Sequence, residues 1–94
     1  MKNKTKIAVV GIGLMGSQHL KAIKNSKKAI LHSIVDINER SRLHAKKFKV
    51  PFYKNSSALI NSNKPDAVIV ATPTQFHEKH TISFLNAKIP VLLE

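Results

Sequence analysis

The three glycines of this 94-residue chain all lie within one hexapeptide, Gly11-Ile12-Gly13-Leu14-Met15-Gly16. Their spacing is G-x-G-x-x-G, which lets a strand turn tightly into a helix and lets the backbone approach a pyrophosphate. Three glycines placed at random would take this spacing on the order of once in a thousand chains. The hexapeptide therefore predicts a strand, a phosphate-binding turn and a helix N-terminus directed at the phosphate. A glycine turn with packing roles only is the alternative.

The hydrophobic pattern on both sides of the glycines fits such a unit. The apolar run at Lys6–Val10 is typical of a strand buried on both faces, and helical spacing follows from Leu14 to about Asn25. Further apolar runs predict strands at 29–35, 51–53, 66–72 and 91–94. Helices are predicted between these strands, the first capped by Asn38, the second capped by Asn55 or Ser56, and the third running from His77 to about Ala87.

This alternation of strands and helices predicts the fold class. Strands that are apolar throughout, rather than at every second residue, belong to parallel sheets covered on both faces. We therefore predict one α/β domain of the Rossmann type, a doubly wound parallel sheet of about five strands. In such a sheet the ligand lies where the strand order reverses, here between the first and fourth strands, outside their carboxyl ends.

Asp36 lies 20 residues after Gly16, at the end of the second predicted strand. A carboxylate there accepts hydrogen bonds from the adenosine ribose of a dinucleotide. It would repel a 2′-phosphate, so Asp36 favours NAD over NADP, while Arg40, one helical turn further, could pair with that phosphate and keeps NADP open. Asp36 could also cap nearby backbone N–H groups, and the two roles are compatible.

The loop after the fourth strand, residues 71–77, is the second candidate wall of the site. It is small and polar where nicotinamide and its ribose would lie, and Pro73 fixes the backbone as the chain leaves the sheet. His77 is a candidate donor to the ribose or the carboxamide. The alternative for His77 is a first-turn surface residue with no ligand.

Composition excludes several other classes of site. The formal charge of +11 suggests a polyanion, but 14 of the 16 basic residues are Lys and they are spread along the chain without basic–aromatic clusters, so nucleic-acid binding is not favoured. Cysteine is absent, and His77 with His80 lacks an evident third ligand, so no metal site is predicted. No nucleophile elbow and no G-K-[ST] after the glycines support a hydrolase or a P-loop NTPase.

No membrane or export signal is evident in the sequence. The longest apolar run is too short to span a bilayer, and the polar first six residues do not begin a signal peptide. We expect a cytoplasmic protein without a membrane partner.

Six segments spread over essentially the whole chain carry a family resemblance. They are Val9–Gly16 with His19, Ile34–Asp36, Val50–Tyr53, Pro65–Val68, Ala71–Thr74 with His77, and Val91–Glu94. In this order they resemble the N-terminal nucleotide-binding domain of the glucose–fructose oxidoreductase, inositol dehydrogenase and MocA family. Residues 1–94 are accordingly expected to form an NAD(P)-binding domain.

The resemblance implies a function for the complete protein, which is hydride transfer between a nicotinamide cofactor and a sugar, polyol or nucleotide-sugar carbon. Together with the motifs above, it gives an expected cofactor site whose members are Gly11, Ile12, Gly13, Leu14, Met15, Gly16, Asp36, Ile37, Ala71, Thr72, Pro73, His77 and Glu94.

The resemblance also implies parts beyond this chain. The family follows the equivalent of Glu94 with a Lys-Pro dipeptide whose lysine assists proton transfer, and with an α+β domain that supplies the substrate pocket and most oligomer contacts. We therefore expect a truncated sheet, no catalytic residue within 1–94, no turnover by this fragment alone, and a homo-oligomer when complete. A non-catalytic nucleotide-binding module or remnant is the alternative.

Lys49 and Lys88 depart from the family pattern, which often has glycine after the corresponding helices. If the backbone keeps the left-handed conformation there, each lysine costs about 1 kcal/mol.

Overall fold

A computed structural model describes residues 4–71 and 77–93, and this part of the chain contains one five-stranded sheet. The strands are β1 (Thr5–Val10), β2 (Ala29–Val35), β3 (Phe52–Tyr53), β4 (Ala67–Val70) and β5 (Val91–Leu93). The α-helices are α1 (Gly13–Asn25), α2 (Arg42–Phe48), α3 (Ser56–Ser62) and α4 (His77–Asn86). A 3₁₀ turn at Glu39–Ser41 precedes α2.

The sheet is parallel and its strand order is β3-β2-β1-β4-β5. The order reverses between β1 and β4, so the predicted doubly wound topology is confirmed. The chain proceeds from β1 through β2 to β3 at one edge of the sheet, and then from β4 to β5 at the other.

Two apolar clusters, one on each face of the sheet, explain why the strands are apolar throughout. On one face Leu20 of α1 and Ala45 of α2 pack in the cluster that contains Val9. On the other, Leu59 of α3 and Phe84 of α4 pack in the cluster that contains Val10. Neighbouring residues of a strand are thus buried on opposite faces, as in other two-sided parallel sheets.

Element ends differ from the sequence expectations where hydrogen bonds outside the strands decide them. Pro51 was predicted to begin β3 but lies before it, although its carbonyl still accepts from the Ile34 N–H at 3.0 Å. Asp66 was predicted to begin β4, and instead its carboxylate accepts from the Lys6 N–H at 2.8 Å. Asn38 caps the 3₁₀ turn, where its side chain accepts from the Arg40 N–H, rather than α2 itself, whose N-cap is Ser41. At α3 the predicted cap is confirmed as Asn55 rather than Ser56.

Lys49 and Lys88 both adopt the left-handed backbone conformation, with φ of 59° and 62°. Lys49 ends α2, and the next N–H, that of Val50, donates to the Ala45 carbonyl at 3.0 Å. This hydrogen bond is typical of a helix that ends in a left-handed residue, a position that glycine ordinarily occupies without steric penalty. The two lysines therefore carry the conformational cost expected from the sequence.

Replacing either lysine by glycine is expected to raise the free energy of unfolding by up to about 1 kcal/mol, because the left-handed conformation costs a Cβ-bearing residue more. Urea denaturation of Lys49→Gly and Lys88→Gly measures the effect. Lys46→Gly, within α2, is the matched control and should instead destabilise by about 0.5–1 kcal/mol. Equal destabilisation by Lys46→Gly and Lys49→Gly would contradict this account of the helix end.

Candidate functional site

A cavity of about 700 Å³ opens at the carboxyl ends of β1, β2 and β4. Five of the residues predicted for the cofactor site line it, namely Gly11, Ile12, Asp36, Ile37 and Ala71. The volume is within the range of small-molecule and cofactor pockets. The sheet therefore brings together, in one concave site, residues that are up to 60 positions apart in the chain.

Gly11 is the residue at which the chain leaves β1. Its N–H donates to the Val35 carbonyl at 2.7 Å, and its φ is 84°, a value that glycine takes without penalty. Ala71 is held on the other side of β1, since its N–H donates to the Val10 carbonyl at 2.8 Å. The ends of the three strands are thus joined around the cavity by backbone hydrogen bonds.

Ile12 is the N-cap of α1 and has no side-chain oxygen with which to cap the helix. Helices more often begin at Ser, Thr, Asp or Asn, whose side chains satisfy an N–H group of the first turn. The start of α1 therefore depends on an acceptor other than the Ile12 side chain.

The Asp36 carboxylate joins β2 to the glycine turn. Its Oδ2 accepts from the Ile12 N–H at 3.1 Å and from the Ser41 hydroxyl at 2.6 Å, and its Oδ1 accepts from the Asn38 N–H at 3.1 Å. A carboxylate offers about four acceptor positions, so one on Oδ1 remains beyond these three bonds. Asp36 thus caps nearby backbone, as the sequence suggested, and it also lines the cavity.

Ser41 lines the cavity but is not among the residues that the sequence analysis predicted for the site. It is buried, with 7% of its surface exposed, and its short hydrogen bond supports the Asp36 carboxylate. A small polar residue five positions after the acidic residue is the signal that could have revealed it.

Ser41→Ala is expected to lower the free energy of unfolding by about 1–2 kcal/mol, because a charged, partly buried acceptor loses a donor. Thermal or urea denaturation measures the loss. Ser62→Ala, at an exposed position in α3, is the matched control and should change stability by no more than about 0.5 kcal/mol. If the two variants behave alike, the bond from Ser41 does not support Asp36.

The opposite wall of the cavity comes from the β3–α3 connection and from α4. The residues there that the prediction did not include are Lys54, Asn55, Ser56, Ser57, Lys79, His80 and Ser83. His80, considered in the sequence only as a metal ligand, has Nδ1 2.8 Å from the Ser56 hydroxyl oxygen. The feature of the sequence that indicates these residues is the alternation of strands and helices. In a parallel sheet the carboxyl ends of all strands and the starts of the following helices lie on the same side, where the cavity is.

The other residues predicted for the cofactor site, or their side chains, lie outside the described part of the chain. Thr72, Pro73 and Glu94 lie outside the described residues. His77 begins α4, and Gly13 begins α1, followed there by Leu14, Met15 and Gly16, but the side chains of these residues are likewise outside the description. Their contacts with a cofactor stay predictions.

Arg40, the predicted alternative partner for a 2′-phosphate, is exposed and does not line the cavity. A different basic side chain, that of Lys54, does. Within the described ranges, no group of three or more His, Asp or Glu side chains is arranged to hold a metal ion, and no helix combines the length and apolar character needed to cross a bilayer.

Residues 5–94 match the model of the GFO_IDH_MocA family, which is described as an oxidoreductase family with an NAD-binding Rossmann fold. The chain belongs to this family. Both the family resemblance and the Rossmann-type fold inferred from the sequence are confirmed. NAD binding through a Rossmann fold is the property that the family description itself names.

Individual relatives include inositol dehydrogenases. The myo-inositol 2-dehydrogenase of Thermotoga maritima is 35% identical over 92 residues, which cover 95% of this chain and 27% of that protein. The structure of myo-inositol 2-dehydrogenase from Lactobacillus plantarum has a TM-score of 0.89 at 26% identity, covering 97% of this chain and 28% of that one. An oxidoreductase from Agrobacterium radiobacter in complex with NAD+ and L-tartaric acid has a TM-score of 0.87 at 26% identity, with 95% and 27% coverage.

Proposed function

We propose that this chain is the cofactor-binding domain of an oxidoreductase that transfers hydride between NAD and a carbon of a sugar, polyol or nucleotide-sugar. The observation that carries the proposal is the hydrogen bond between the Ile12 N–H and Asp36 Oδ2. It joins a phosphate-binding turn to a ribose-binding carboxylate on the wall of one cavity.

The residues present fit a dinucleotide. The turn at Gly11 and the start of α1, which Ile12 cannot cap, suit a pyrophosphate that accepts backbone N–H bonds. The acceptor position left on Asp36 Oδ1 suits a ribose hydroxyl. Ile37 and Ala71 add apolar surface to the same cavity and would contact the flat rings of the nucleotide.

In this proposal, the role of the chain is to bind and orient the cofactor. A bound nicotinamide supplies the hydride donor or acceptor. Proton transfer and the substrate wall are assigned to a further domain of the complete protein, since this chain spans 27% of the length of its Thermotoga relative. The names of the relatives favour a polyol as substrate class. A homo-oligomeric complete protein and a cytoplasmic location, both expected from the sequence, stay predictions.

NADH is expected to bind more tightly than NADPH, because the Asp36 carboxylate would face the 2′-phosphate. Asp36→Ser should narrow the difference by about 5- to 10-fold, the effect of removing roughly 1 kcal/mol of charge repulsion. Fluorescence titration of the protein with each reduced cofactor measures both quantities. Equal or reversed affinities in the unmodified protein would contradict the preference for NAD.

Gly13→Val is expected to abolish cofactor binding without unfolding the protein, because a branched side chain would occupy the space where the backbone approaches the pyrophosphate. Calorimetry measures binding, and circular dichroism checks the fold. Gln18→Val, at an exposed position of α1, is the matched control: it introduces the same side chain into the same helix and should leave the affinity unchanged. Retained binding by Gly13→Val would refute the assignment of this turn.

A further inference from the structure

Glu39 holds two cations at the edge of the cavity. Its Oε2 lies 3.2 Å from Lys54 Nζ, and its Oε1 lies 3.2 Å from Arg42 Nε. All three side chains are more than half exposed. The hydrogen bonds from Arg42 and Lys54 lower the pKa of Glu39, so the carboxylate is ionised at neutral pH and carries its full charge toward both partners.

Lys54 is the member of this group that lies beside Asp36. The Asp36 N–H donates to the Tyr53 carbonyl at 3.0 Å, and Tyr53 directly precedes Lys54. Parallel pairing continues up to this point, with Val35 opposite Tyr53. Lys54 and Asp36 therefore stand next to each other at the ends of adjacent strands, and both line the cavity.

Arg42 is restrained in a second way. Its guanidinium carbon lies 4.6 Å from the centre of the Phe52 ring, a cation–π contact, while its Nε is directed at Glu39. Unlike Lys54, Arg42 is not among the residues that line the cavity. Lys54 is thus the cation of this pair with access to a ligand at Asp36.

An unpaired ammonium beside the ribose position would attract a 2′-phosphate and oppose the repulsion from Asp36. A lysine already paired with a carboxylate has less of its charge available, and the phosphate would also meet the negative charge of its partner. Glu39 is therefore placed to affect the same choice between NAD and NADP as Asp36, although Glu39 does not line the cavity itself.

We propose that Glu39 is a specificity-determining residue, which disfavours 2′-phosphorylated cofactor by holding Lys54 in an ion pair. The proposal rests on the proposed function, because it takes the ligand at Asp36 to be the ribose of NAD. It differs from the role of Asp36 in that Glu39 acts through another side chain, so that its effect requires Lys54.

The test compares Glu39→Gln with the unmodified protein by fluorescence titration with NADPH and NADH. Releasing Lys54 should raise the affinity for NADPH by about 5-fold and change that for NADH by less than about 2-fold. Asp66→Asn is the matched control, since it makes the same change in net charge at the amino end of β4, whereas the cavity lies at the carboxyl ends of the strands. An equal rise in NADPH affinity in both variants, or no rise in Glu39→Gln, overturns the proposal.

Substitutions of Lys54 test whether the effect of Glu39 depends on the ion pair. In Glu39→Gln combined with Lys54→Met the gain in NADPH affinity should disappear, and persistence of the full gain overturns the role of Lys54. Lys54→Met alone leaves Glu39 without this partner and should weaken NADPH binding more than NADH binding. Equal effects on the two cofactors contradict the ion-pair account even if Glu39→Gln does not fold. Failure of the unmodified protein to bind either cofactor would refute the proposed function instead.

Discussion

The hydrogen bond from the Ile12 N–H to Asp36 is the interaction on which the geometry of the site depends. Gly11 turns the chain off β1 at a φ of 84°, and its N–H is bound to the Val35 carbonyl at the end of β2. Asp36, the next residue after β2, extends this attachment to Ile12, where α1 begins, and Ser41 in turn supports Asp36. One carboxylate therefore sets both where α1 begins and where a ribose would be held, which couples the stability of the loop to its capacity to bind.

Much of the fold could be predicted because the strands are buried on both faces. A run such as Ala67–Val70 is apolar throughout, and between such runs the spacing of apolar residues becomes helical. The ends of the elements were less predictable, since they depend on hydrogen bonds between residues distant in the chain. Asp66 illustrates this: its carboxylate bonds to the Lys6 N–H, 60 residues away, and no local pattern indicates that contact.

In the candidate site, too, some residues could be predicted from local sequence patterns and others depend on contacts between distant parts of the chain. The residues that follow β1, β2 and β4 could be predicted, because a known spacing and the topology of a doubly wound sheet place them together. The residues of the wall from α3 and α4 were not identified, because they are ordinary polar residues to which no local motif points, and only the topology of the sheet indicates their place. Ser56 and His80 contribute through a contact across 24 residues. Lys54 is one of 14 lysines, and nothing local distinguishes it from the other 13.

Net charge and local charge have different consequences in this chain. A formal charge of +11 would favour any anion over the surface as a whole, and so by itself would favour a cofactor with an additional phosphate. Two of the five acidic residues, Asp36 and Glu39, lie close together at the end of β2 and in the turn that follows it. Under the proposed function, the carboxylates of Asp36 and Glu39 would act close to the cofactor, where lysines farther away than the screening length of about 8 Å contribute little, and Lys54 would act there through its ion pair with Glu39. We therefore expect the position of its few carboxylates to influence which anion this strongly basic domain accepts.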